Sequence, residues 1–124
     1  MDEAKVKSKR GRSAVNKGRQ GEREAGKQLD RLIGGDWRRS LVQSRAGNED
    51  ADIISDEWPD LFVEVKRGKR TSPNAALQQA CEASSGSGRL PLALTRADGS
   101  QWLLTLKADD LPGLVRLIAA SDLF

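Results

Sequence analysis

"ADIISDEWPDLFVEVKRGK", residues 51–69, is the stretch on which the fold turns. Two short apolar runs flank Asp56-Glu57-Trp58-Pro59-Asp60, a turn composition, and together they predict a β-hairpin. Side chains alternate along a strand, so Phe62, Glu64 and Lys66 point one way while Val63 and Val65 point the other. A turn centred near Trp58 sets Asp52 opposite Glu64, with Cβ atoms roughly 4.5–5.5 Å apart. A slip of one residue would instead set Asp52 against a valine. In the favoured register Asp52, Glu64 and Lys66 share one small volume. An isolated Glu-x-Lys is ordinarily a solvated surface pair, but a second carboxylate across the ladder changes the problem. Carboxylates that close repel, and one of them keeps a proton unless a cation separates them.

A divalent ion resolves that conflict. Mg²⁺ takes oxygen ligands, keeps several waters, and is commonly held by one or two carboxylates together with a phosphate of the substrate. Lys66, a donor with no acceptor while protonated, does not ligate but suits orienting a water or balancing phosphate charge. A third carboxylate comes from the preceding segment. Ala25, Leu29, Leu32 and Ile33 recur at helical spacing from Gly18 to Ile33, and the paired glycines Gly34 and Gly35 stop the run. Glu22 falls on that inward stripe, whereas Glu24 is expected to face solvent.

Further along, segments 37–44, 51–55 and 60–67 read as strands and Pro73 to about Ser84 as a helix. "RLPLALTR" and "QWLLTLK" form a hairpin across Ala97-Asp98-Gly99, and Ala108–Ala120 is a last helix. The expected order is α-β-β-β-α-β-β-α, an α/β fold with a mixed sheet flanked by helices. Residues 1–16 lack hydrophobic periodicity and read as a flexible basic arm preceding a single domain over 17–124.

Composition narrows the chemistry. The chain has 124 residues, 37% of them hydrophobic and 31% charged, which suits one globular domain. With no histidine and no tyrosine, Ser-His, Cys-His, histidine–metal and tyrosine-nucleophile chemistries are excluded. The single cysteine, Cys81, forms no internal disulfide, and its alanine-rich surroundings suggest a small core residue. The net charge is +3, with Lys5, Lys7, Lys9, Arg10, Arg12, Lys17 and Arg19 crowded near the start, an arm suited to a polyanion such as nucleic acid. No apolar stretch approaches the roughly 20 residues that cross a bilayer, and the charged start is unlike a signal peptide, so a cytoplasmic location without membrane contact is expected.

Read in order, "KGRQGERE", "SRAG", "DADII" and "FVEVK" resemble the PD-(D/E)XK nuclease superfamily, and within it the archaeal-type and phage-encoded Holliday-junction resolvases. The likeness covers roughly residues 17–110. That branch places Lys-Gly-x-x-x-Glu-Arg at the opening of the first helix, here Lys17 to Arg23, then an aspartate, here Asp52, then Glu-x-Lys, here Glu64 and Lys66. Ala51 stands where the superfamily's name has proline. The resemblance implies a restriction-endonuclease-like fold with Glu22, Asp52 and Glu64 as metal-binding carboxylates and Lys66 as the catalytic lysine. The implied cofactor is Mg²⁺, with Mn²⁺ as a substitute. The implied activity is hydrolysis of phosphodiester bonds at branched DNA, in recombination and repair, by a homodimer in a bacterial, archaeal or phage-infected cell. Arg10, Arg12, Lys17, Arg19, Arg23, Arg67 and Arg70 would grip DNA backbones, and Ser44 and Arg45 would contact phosphate near the loop before the aspartate strand. Family members often carry a glutamine on the following helix near the site; Gln78 and Gln79 compete for that place, with Gln78 favoured. Two rivals remain: a nuclease for nicked, flapped or plain duplex DNA, in repair, restriction or genome packaging, and a non-catalytic nucleic-acid-binding module.

Overall fold

The computed structural model describes the backbone of residues 3–41 and 51–123, and the side chains of residues 16, 18–41 and 51–123. It is an α/β structure: a five-stranded mixed sheet with three α-helices. The strands are β1 (Arg38–Arg39), β2 (Ile53–Ile54), β3 (Leu61–Gly68), β4 (Leu90–Ala97) and β5 (Leu103–Thr105), lying in the sheet in chain order. Neighbours pair antiparallel except β3 and β4, which run parallel and are joined through helix α2 (Pro73–Ser84). Helix α1 (Glu3–Ile33) precedes the sheet, and a 3₁₀ turn (Ala108–Asp110) leads into α3 (Leu111–Ala119) after it.

The element order matches the sequence reading, and the boundaries differ where local pattern was weak. Helix α1 begins at Glu3, not Gly18, and so passes through the span read as a flexible arm. Alanine, lysine and arginine there are good helix formers, and helix propensity alone leaves no hydrophobic period to read. Strands β1, β2 and β5 are shorter than expected, although Ser40 N–H donates to Asp52 O (3.0 Å) and Asp52 N–H to Val63 O (3.0 Å), extending the ladder beyond the strand bounds. The Asp98-Gly99 turn forms, with Gly99 at φ 76° and Ser100 N–H donating to Ala97 O.

The sheet separates two unequal layers. On the α1 side Ala25, Leu29, Trp37, Ile53, Trp58, Leu61, Val63, Val65, Leu92, Leu94 and Leu114 make one buried cluster. On the α2 side the buried cluster is only Ala51, Phe62 and Ala80, edged by Ile54 and Ala83. The first layer is locked at the end of α1. The carbonyl of Gly34 accepts the indole N–H of both Trp37 (3.0 Å) and Trp58 (2.9 Å), and Gly35 sits at φ 117° with the Trp58 ring against its Cα. Of the helical stripe, Ala25 and Leu29 reach the core, but Leu32 is exposed because the helix ends as it leaves the sheet. Cys81 is half-buried and not a core residue: the buried stripe of α2 is Ala76, Ala80 and Ser84.

Candidate active site

Ile53 pairs with Val63, which is the register that sets Asp52 opposite Glu64. Phe62 belongs to the α2-side cluster, so Glu64 and Lys66, which alternate with Val63 and Val65, take that face, and Asp52 meets Glu64 through a side-chain hydrogen bond. Asp52 is fixed by the backbone: Val65 N–H donates to its Oδ2 at 2.8 Å. Glu64 is buried, 5% exposed, and its Oε1 lies 3.5 Å from Lys66 Nζ, which reaches out to solvent.

Burial is the main reason that both carboxyls hold protons more tightly than usual. Glu64 is pushed up to about 7 by burial and then by the neighbouring Asp52, with the Lys66 ammonium pulling it down. Asp52 is also raised, by burial and by the charge of Glu22, against the Val65 N–H and Lys66, which favour its ionised form. Near neutral pH Glu64 is therefore only partly ionised.

The three carboxylates expected to meet are not one cluster. Asp52 and Glu64 come together; Glu22, on α1, is near enough for its charge to act on Asp52, but its Oε2 is held by Arg39 Nε at 2.7 Å. Among the described residues no group of three or more Asp, Glu or Cys side chains is placed to hold a metal. The donor set that remains, a buried Glu64 and a half-buried Asp52 beside an open lysine, still fits Mg²⁺, which needs only one or two carboxylates when waters and a substrate phosphate complete its shell.

The basic residues assort differently from the expectation. Arg19, Arg23 and Arg70 are exposed. Arg67 turns its guanidinium to Glu24 (Nε to Oε2 3.1 Å) beneath α1, with its side chain pressed against Gly21. Glu24 is thus not solvent-facing: it bridges Arg67 of β3 and Arg96 of β4 (Nη1 at 3.0 Å), tying α1 to the two central strands. The side chains of Arg10, Arg12 and Lys17, and Ser44 and Arg45 altogether, lie outside the described residues. Gln78 donates to Glu82 (3.1 Å) on the exposed side of α2, while Gln79 lines a pocket with Lys66, so Gln79 is the glutamine beside the site. The signal was present in the sequence, because Gln79 is three residues from Ala76 and adjacent to Ala80 on the inward stripe. Arg39 was missed altogether; its closeness to Glu22 is a tertiary contact with no local pattern. Thr95, opposite Lys66 in the parallel pair, is fully buried with its Oγ1 unpartnered among the described residues.

No protein-family model matches the chain, and no curated protein matches it.

Proposed function

We propose that the protein is a metal-dependent endodeoxyribonuclease of the PD-(D/E)XK kind, acting on branched DNA in the manner of a Holliday-junction resolvase. The observation that carries the proposal is the meeting of Asp52, just before β2, with Glu64 of β3, and the Lys66 ammonium 3.5 Å from Glu64. A structural role gains nothing from setting a buried Glu64 against a second carboxyl, Asp52, that raises its proton affinity. Asp52 and Glu64 would hold Mg²⁺ (or Mn²⁺), which when bound supplies Lewis acidity toward the scissile phosphate and balances its charge. Lys66 donates to a non-bridging phosphate oxygen and orients the attacking water through that water's lone pair. Water adds to phosphorus and its proton leaves to solvent, while the bond to one sugar oxygen breaks and that oxygen takes a proton from solvent, leaving a phosphate monoester and a hydroxyl. The Val65 N–H holds Asp52 Oδ2 in place and so would orient the carboxyl toward a bound ion. Glu22, held by Arg39, adds to burial in raising the proton affinity of Asp52.

Exposed Arg19, Arg23 and Arg70 suit contacts to DNA backbones, which position a duplex without reading its bases. Paired cuts on a near-symmetric junction require two sites, hence a homodimer, and a DNA substrate implies the cytoplasm. The second reading, a nucleic-acid-binding module without catalysis, draws support from the Glu22–Arg39 pair, which leaves the acid cluster at two. Incubation with a synthetic four-way junction and with linear duplex, each with Mg²⁺ or with EDTA, separates the readings. Cleavage of the junction only with Mg²⁺ is expected, and Asp52→Asn should abolish it while binding persists. Cutting of neither substrate under any divalent ion favours the binder, and equal cutting of both favours a general nuclease.

A further inference from the structure

A pocket of about 250 Å³ lies between the end of β3 and the first turn of α2, lined by Lys66, Arg70, Thr71, Ser72 and Gln79 among others. We infer that it is a phosphate-binding pocket, next to and separate from the scissile position, that holds a second phosphate of the bound strand. The inference rests on the nucleic-acid reading of the neighbouring site. Its lining contains no acidic residue, although Asp and Glu make up 18 of the 124 residues. The volume is below that of a pocket for a drug-sized ligand, and its polar lining groups, all able to donate, suit one phosphate.

Two cationic side chains serve this pocket in different ways. Lys66 stands between it and Glu64, so a phosphate there and one at the acid pair would be bridged by a single ammonium group. Arg70 is exposed and makes no ion pair with any described residue, in contrast to Arg67, whose guanidinium is taken by Glu24 although it forms part of the same wall. An unengaged guanidinium offers a planar fork of donors suited to phosphate oxygens. Thr71 and Gln79 add neutral donors. Ser72 caps α2, its hydroxyl accepting from Ala75 N–H at 3.2 Å, and so shapes the wall more than it binds.

The phosphate has two possible sources, an internal diester of the strand or a monoester at a strand end. Calorimetric titration in EDTA distinguishes them, using a thymidine dinucleotide with a 5′-phosphate and the same dinucleotide without it. Arg70→Ala and Gln79→Leu should each weaken at least one ligand by about fivefold or more, while Lys27→Ala, on the α1 side of the sheet, should change neither. An effect confined to the phosphorylated ligand assigns a terminal monoester; an equal effect on both assigns an internal diester. Affinities unchanged in Arg70→Ala and Gln79→Leu, no measurable binding by the unaltered protein, or an equal loss in Lys27→Ala would each overturn the inference. Unaltered melting temperatures certify that the variants are folded. Because no divalent ion is present, the outcome is independent of cleavage: a protein that binds here and never cuts sinks the nuclease reading alone.

Discussion

The two faces of strand β3 are built to opposite rules. Val63 and Val65 join tryptophans, leucines and isoleucine in a broad apolar layer under α1, whereas Phe62, Glu64 and Lys66 meet a thin layer of alanines under α2. The first face is where apolar burial, roughly 25 cal/mol per Å², holds the domain together. The second spends part of that capacity on Asp52, Glu64 and Thr95, groups that resist burial. Small side chains on α2 let the helix come close to the sheet without covering the acids with bulk. One strand thus carries the support and the chemistry on alternate residues, and each face can be perturbed without touching the other.

The apolar face should give the largest response. Gly35 lies where an added Cβ would come within 2.5 Å of Trp58 Cδ1 and 2.8 Å of Ser55 Oγ, at a φ of 117° that L-residues avoid. Gly35→Ala should lower stability by about 3–5 kcal/mol, read by urea unfolding, through strain and displacement of the Trp58 ring. A loss below about 1 kcal/mol would show that the end of α1 is pliant and that the α1 layer is not the rigid support of the site.

The polar face should respond to pH. The folded-state affinity of Glu64 for its proton is raised, from 4.5 to about 7, so the native state keeps a proton that the unfolded chain has released. Stability from this group is therefore full below about pH 4.5, falls as pH rises through that window, and stays low above 7. Glu64→Gln, which keeps shape and removes the charge, should leave stability at pH 5 nearly unchanged and raise it at pH 8 by on the order of 2 kcal/mol. Mg²⁺ should raise the melting temperature of the parent protein at pH 8 more than at pH 5, and should do little for Glu64→Gln. A parent protein equally stable at both pH values, with no effect of the variant, would remove the electrostatic basis of the proposed site.

How much of this was legible in the sequence depends on whether the determinant was local. The hairpin register followed from alternation and a turn centred on Trp58, and it placed Asp52 against Glu64 correctly. The α-β-β-β-α-β-β-α order followed from hydrophobic period and Gly or Pro punctuation. The reading broke down where partners are distant in the chain. Glu22 was rightly placed on a half-buried stripe, but its capture by Arg39 depends on how β1 crosses the start of the core, which no spacing encodes. Glu24 was assigned to solvent because its partners, Arg67 and Arg96, come from two strands that are neighbours only in the folded sheet. The N-terminal helix was missed for a different reason, since helix propensity without amphipathicity leaves no periodic signal.

Thr95 gives the smallest and most discriminating test of the contrast between the faces. Its Oγ1 is buried without a partner among the described residues, a situation that ordinarily costs about 1–3 kcal/mol. Had it stood on the α1 side, valine would be the expected residue there. Thr95→Val replaces the hydroxyl with a methyl of similar shape and should stabilise the protein by about 1 kcal/mol if the α2 face is dry at this point. Its paired position beside Lys66 makes the opposite result informative, because a bridging water would link the hydroxyl to the site. A loss of stability in Thr95→Val, accompanied by slower cleavage, would mean that hydration runs beneath α2 as part of the polar layer. A gain with cleavage unchanged would confine the polar layer to Asp52, Glu64 and Lys66, and leave Thr95 as a cost of packing.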